Sequence, residues 1–102
     1  MGTSLKDLRD FPDKVRREAG YQLGRIENNL EPSAWKPMEA VGAGVREIRV
    51  RDESGAFRVL YVAKFAKAIY VLHCFQKKTQ KTSKIDLELA AKRYREIKEV
   101  KQ

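Results

Sequence analysis

The sequence predicts an α+β domain with N-terminal helices, an antiparallel β-meander sheet and a C-terminal helix. Three observations carry that prediction. Apolar residues between Asp13 and Leu30 recur every three or four positions, as one face of a helix requires. From Val45 to Phe75, three runs rich in strand formers follow one another with only short turns between them, which means antiparallel pairing. After Ser83 the helical period returns. A chain of 102 residues builds one core and not two, so residues 1–102 read as a single domain.

Leu5, Leu8 and Phe11 fall at helical spacing, so a short first helix over Ser4–Phe11 is expected, opened by Thr3 or Ser4. Pro12 cannot sit inside a helix but suits the first turn of a new one, with Asp10 or Phe11 as its cap region. In that second helix, Asp13–Leu30, the stripe is Val15, Ala19, Leu23, Ile26 and Leu30. Arg16, Arg17, Glu18, Gln22, Arg25 and Glu27 fill its wet side. Asn28, Asn29 and Pro32 end it. Glu31–Pro37 reads as a loop that Trp35 anchors by burial. Met38–Val41 reads as a short strand before a turn or bulge at Gly42–Gly44.

Val45–Arg51 alternates. Val45, Glu47, Arg49 and Arg51 share a polar, basic face, while Arg46, Ile48 and Val50 share a mostly apolar one. Asp52–Gly55 is a hairpin turn with glycine where positive φ is tolerated. The partner strand Phe57–Phe65 directs Phe57, Val59 and Tyr61 one way and Arg58, Leu60 and Val62 the other. Lys64–Lys67 turns the chain into a third strand, Ala68–Phe75. Its apolar run is too continuous for one wet face, so both faces are expected under cover. At its exit it delivers Lys77, Lys78, Lys81 and Lys84, which also suit a solvated loop. Ser83 and Asp86 resemble a capping box with Asp in place of the usual Glu or Gln. Ile85, Leu89, Ala90, Tyr94 and Ile97 are spaced as the buried stripe of the last helix.

A formal charge of +8 favours a partner that carries phosphates, or an acidic protein. The single cysteine, Cys74, lies inside an apolar strand and reads as a small buried hydrophobe in a reducing, cytoplasmic compartment. No apolar run reaches the roughly 18 residues a membrane span needs, and no signal peptide opens the chain. Lys6 stands where a myristoylation start needs Ser or Thr, so no membrane partner is expected. Gly42 and Gly44 are not followed by the glycine and helix of a phosphate loop. One cysteine and one histidine do not make a usual zinc site, and nothing marks a nucleophile beside His73. No metal and no cofactor are therefore expected. His73 could serve as a general base near neutral pH, although a lone histidine in an apolar strand is more often a satisfied core residue.

What remains is a set of cations on neighbouring strands: Arg49 and Arg51, then Arg58, then Lys77, Lys78 and Lys81. Strands lie about 4.8 Å apart, so these side chains can converge on a few phosphates, arginine as a planar fork and lysine as a point charge. Tyr61 and Phe75 could stack on a base, or pack in the core. Strand parity sets Tyr61 and Arg58 on opposite faces. Glu47 shares a face with Arg49 and can neutralise it.

Three segments, SLKDLRDFPDKVRREAGYQL (Ser4–Leu23), GVREIRVRDESGAFRVLYVAKF (Gly44–Phe65) and YVLHCFQKKTQKTSKIDLELAAKRY (Tyr70–Tyr94), resemble the RelE/ParE toxin superfamily. They look most like its phage-derived HigB-like branch, and the pattern FxKKTxKT at Phe75–Thr82 is the most specific piece. The resemblance implies a small RelE-like fold and metal-independent cleavage of mRNA in the ribosomal A site, by attack of a ribose 2′-hydroxyl on the adjacent phosphate. By that likeness Arg58, Lys77 and Lys78 are catalytic, while Arg49, Arg51, Lys81 and Tyr61 contact RNA. His73 and Tyr94 are weaker candidates for proton transfer or RNA contact. The implied partners are mRNA on the ribosome and a cognate antitoxin with a helix-turn-helix. Relatives carry a strand ahead of the first helix that the opening MGTSLKDL is not expected to supply, which would leave an exposed sheet edge. The ParE branch keeps the fold but poisons gyrase without cutting RNA, so a non-enzymatic inhibitor or an inactive phage-derived nucleic-acid-binding module is the alternative.

Overall fold

The computed structural model describes residues 4–65, 68–78 and 83–101. Its elements run α1 (Ser4–Arg9), α2 (Asp13–Glu27), β1 (Trp35–Pro37), β2 (Arg46–Asp52), β3 (Gly55–Phe65), β4 (Ala68–Lys77) and α3 (Lys84–Lys101). The strands form one antiparallel sheet in the order β1-β2-β3-β4. This is the expected α+β arrangement. Residues 1–3, ahead of α1, where the strand of the relatives is not expected, lie outside the described residues.

The chain has two apolar clusters and not the one core expected, because the sheet divides its buried residues between its two faces. On one, Ile48, Val50, Phe57, Val59, Tyr61, Val71 and Cys74 pack with Phe11, Val15 and Ala19 of the N-terminal helices and their junction. On the other, Leu60, Val62 and Leu72 pack with Ala90, Tyr94 and Ile97 of α3 and with Val41 and Val45. The continuous apolar run of β4 is thereby explained, because helices lie on both sides of it. A bulge between Leu60 and Tyr61 breaks the β3–β4 register, and Leu72 and His73 both serve the α3 side.

Several boundaries differ from the sequence expectation. Pro12 is itself the N-cap of α2, and its carbonyl accepts from Arg16 N at 2.8 Å. That helix stops at Glu27 rather than Leu30, because Asn29 adopts φ 63°. Leu30 N then donates to Arg25 O and Asn29 N to Ile26 O, the two bonds of a Schellman ending. Gln22, expected on the wet side, is buried and clasps Ser33 through both its amide oxygen and nitrogen. The short strand is Trp35–Pro37, paired with Pro37 against Arg46, and not Met38–Val41. Met38–Val45 instead makes two tight turns, closed by Val41 N to Met38 O and Val45 N to Gly42 O. Gly42 sits where a Cβ would come within 2.5 Å of the Tyr94 ring, so only glycine fits there. On α3, Ile85 is 77% exposed and outside the buried stripe, which runs Leu87, Ala90, Tyr94, Ile97. Ser83 and Asp86 do cap α3, with Asp86 N donating to Ser83 Oγ at 3.1 Å. Among the described residues no helix is long and apolar enough to cross a membrane.

Burial of Cys74 pushes its thiol up to about 12 from 9.0. The neutral thiol is favoured by folding, so its contribution to stability is complete below about pH 9 and is lost as pH rises towards 12. At pH 8 the native protein should therefore react with a thiol-disulfide reagent only as fast as it opens. A rapid stoichiometric colour change without denaturant would contradict the burial.

Candidate nucleic-acid interface

α3 covers only part of its face of the sheet. Towards the β2–β3 turn the same face carries charge, in three cross-strand rows set by the register. Lys36, Glu47, Leu60 and His73 form the first row. Arg49, Arg58 and Phe75 form the second, and Arg51, Ala56 and Lys77 the third. Residues directly opposite share a face, so strand pairing alone brings Arg49, Arg51, Arg58 and Lys77 together. Lys78 follows at the end of β4 and is exposed.

Arg49 directly opposite Arg58 is a like-charge pair, which by itself destabilises a sheet. Glu47, in the adjoining row, answers it. Its side chain is 0% exposed, and its Oε1 lies 3.4 Å from Arg49 Nε, 3.4 Å from Arg58 Nε and 4.0 Å from Lys36 Nζ. Arg49 Nε is aligned to donate to it, whereas Arg58 Nε approaches without hydrogen-bond alignment. Arg58 Nη1 donates instead to Phe57 O at 3.1 Å. The Arg58 side chain is only 8% exposed, while that of Arg49 is 45% exposed. Burial lowers the pKa of the Arg58 guanidinium from its ordinary value, opposed by Glu47. Lys77 is also lowered, first by partial desolvation and then by the Arg58 charge. Both shifts come first from desolvation, and neighbouring cations add to them.

A second polar cluster lies under α3. His73 Nε2 and Asp86 Oδ1 are 2.6 Å apart, and Ser83 Oγ donates to Asp86 Oδ2. Arg93 Nη1 donates to Leu72 O at 2.7 Å and lies 3.5 Å from His73 Nδ1. With an arginine N–H at Nδ1, the proton of a neutral ring belongs on Nε2, directed at Asp86. This cluster fastens the start of α3 to β4. No group of three or more His, Cys, Asp and Glu among the described residues is arranged to hold a metal ion.

The family model of phage-derived Gp49-like proteins (DUF891) matches residues 6–95, nearly the whole sheet-and-helix unit. The chain belongs to the Gp49-like family. No curated protein matches it.

In this Gp49-like fold the sequence-predicted residues separate into two groups. Arg49, Arg51, Arg58 and Lys77 share one surface, with Lys78 at its margin. Phe75 joins them in the row of Arg58, half-buried, its ring stacked on His73 at 5.1 Å. Tyr61 does not: it is 1% exposed on the opposite face, packed towards α2, and its ring is used by the core rather than offered to a base. His73 is buried with both ring nitrogens engaged, which suits a structural tie and not proton transfer. The Tyr94 hydroxyl donates to Ala43 O at 2.9 Å from within the α3 core. Lys81 lies outside the described residues. Lys36 is a further cation of this surface that the sequence does not reveal, since Glu31–Pro37 reads as loop and only β1 pairs it with Glu47.

Proposed function

We propose that this Gp49-like protein is the toxin of a toxin-antitoxin pair and cuts mRNA on translating ribosomes. The observation that carries the reading is the uncovered end of the sheet, where Arg49, Arg51, Arg58 and Lys77 converge and Lys78 adjoins them. Membership in a phage-derived family of RelE- and toxin-like proteins supports it.

In this reading the 2′-oxygen of a ribose attacks the adjacent phosphorus and the bond to the following 5′-oxygen breaks. Negative charge on the phosphoryl oxygens rises in the transition state, and cations fixed beforehand stabilise it more than the ground state. Arg58, Lys77 and Lys78 meet the reacting phosphate. Arg49 and Arg51, more exposed, hold its neighbours on the strand. Phe75, held by His73, gives one base an aromatic edge to rest on. A helix-turn-helix antitoxin would silence the protein by covering this surface.

Primer extension on a reporter mRNA tests the reading, in a reconstituted translation reaction with and without ribosomes. Discrete cuts confined to the reaction containing ribosomes are expected. Cuts on free RNA would make the protein a ribosome-independent nuclease. Intact RNA in both, from a folded sample, would reject cleavage and leave a non-enzymatic inhibitor, such as one acting on gyrase.

A further inference from the structure

Glu47 stands out as a fully buried carboxylate at the centre of a surface built for anions. A substrate phosphate cannot reach it, yet three cations lie within 4.0 Å of one of its oxygens. The contacts have a direction. Both arginines turn their Nε towards Glu47, not their terminal nitrogens. A guanidinium engaged at Nε keeps its outward terminal N–H groups, which lie in the same plane and point away from Nε, for another partner. For Arg58 one terminal nitrogen is tied to Phe57 O, so its orientation is set by that bond and by the charge of Glu47 beside its Nε.

We propose that Glu47 is the positioning residue of the phosphate site. It acts through Arg49 and Arg58, holding two like charges side by side on neighbouring strands and directing their forks at the incoming phosphate. The proposal rests on the reading of this surface as an RNA-cleaving site. Its physical logic is separable from that reading. A buried anion is the least disruptive way to pack Arg49 opposite Arg58, because the pair would otherwise repel and splay. Holding the guanidiniums before substrate arrives removes the reorganisation that the transition state would otherwise require. The same carboxylate subtracts one charge from the cluster, so it weakens ground-state attraction for RNA while sharpening the geometry for reaction. Positioning and affinity are thus set against each other in one residue.

Glu47→Gln separates the two effects, since it is nearly isosteric and keeps a carbonyl acceptor while losing the charge. Three measurements on the full chain decide the matter. The first is the NMR signals of the arginine Nε–Hε groups, which report the contact whatever the protein does. The second is affinity for a short single-stranded RNA whose riboses carry 2′-methoxy groups and cannot be cut. The third is the pH profile of ribosome-dependent cleavage.

In Glu47→Gln the Arg49 and Arg58 Nε–Hε signals should shift, and that of Arg49 should exchange faster with water. RNA should bind about 3- to 10-fold tighter, from the added net charge. Cleavage should slow by about 10-fold or more, with the shape of its pH profile unchanged. Tighter binding together with slower cleavage is a split that loss of folding would not produce. Unmoved Nε–Hε signals would overturn the proposal. So would a flattened pH profile at unchanged affinity, which would make Glu47 a direct proton acceptor. If the wild-type protein neither binds nor cuts RNA, the functional reading fails. Positioning is then decided by the Nε–Hε signals and by affinity for inorganic phosphate, which should rise in the variant.

Discussion

Replacing Lys77 and Lys78 together by alanine should abolish growth arrest and leave the protein folded. The two side chains contribute little to packing. Lys77 is the last residue of β4, opposite Ala56, and Lys78 is exposed beyond it. Surface changes of this kind stay within about 0.5 kcal/mol, which for a domain of this size moves the melting temperature by no more than about 4 °C. The effect on reaction is of another order. Removing one preorganised donor from a developing anion costs about 10²- to 10³-fold in rate, so losing two should cost 10⁴-fold or more. Growth after induction, primer extension and a thermal melt on the same variant supply the three readings. A folded double variant that still arrests growth would falsify the assignment of these lysines.

Lys77 also predicts a pH dependence. Its pKa is lowered from 10.5 by partial desolvation and by Arg58, so it loses its charge at a lower pH than an ordinary lysine. A charge needed for RNA binding is present below that point and lost above it. Affinity should accordingly begin to fall on the alkaline side before an isolated lysine would titrate, and Lys77→Arg should remove the early fall.

Much of this surface was legible in the sequence because it rests on period-two alternation and short turns. Alternation places Arg49 and Arg51 on one face and Arg58 with Leu60 on one face. A two-residue hairpin at Glu53 and Ser54 then leaves one way to bring those faces together. The Asp52 carboxylate fastens that hairpin by accepting from Ser54 N at 2.8 Å. What stayed illegible depends on contacts between distant segments. Nothing local says that Glu47 is buried, because its cover comes from the chain around it and from strands paired on both sides. Gln22 looks like any wet helical residue until Ser33 folds back against it. Ile85 fits a helical stripe on paper. The stripe that α3 actually buries is fixed by where Tyr94 meets Gly42, about fifty residues upstream. His73 was ambiguous for the same reason, since its partners Asp86 and Arg93 come from α3.

The largest stability change should follow from taking one member out of the Glu47–Arg58 pair. Arg58→Met leaves a fully buried carboxylate without its most buried cation, with Arg49 and Lys36 still beside it. Breaking a buried ion pair typically costs about 3–5 kcal/mol, and the two remaining cations place the expected loss at about 3 kcal/mol. Glu47→Leu should cost at least as much, because it leaves Arg58 buried beside Arg49 with no anion between them. The two losses should be coupled, the double variant losing no more than about 2 kcal/mol and so less than either single one, since neither charge is then stranded. Urea unfolding of all four proteins gives this coupling directly. Simple additivity would mean that the two side chains do not depend on each other, and the case for a shared buried pair would fall. If the coupling is found, the double variant has a further use. It restores much of the stability without restoring the cation, so its cleavage, set against that of Glu47→Gln, separates what Arg58 does for the fold from what it does for RNA. A stable double variant that cuts far more slowly than Glu47→Gln places Arg58 in the chemistry. One that cuts as fast as Glu47→Gln confines it to the sheet, leaving Arg49, Lys77 and Lys78 to meet the phosphate.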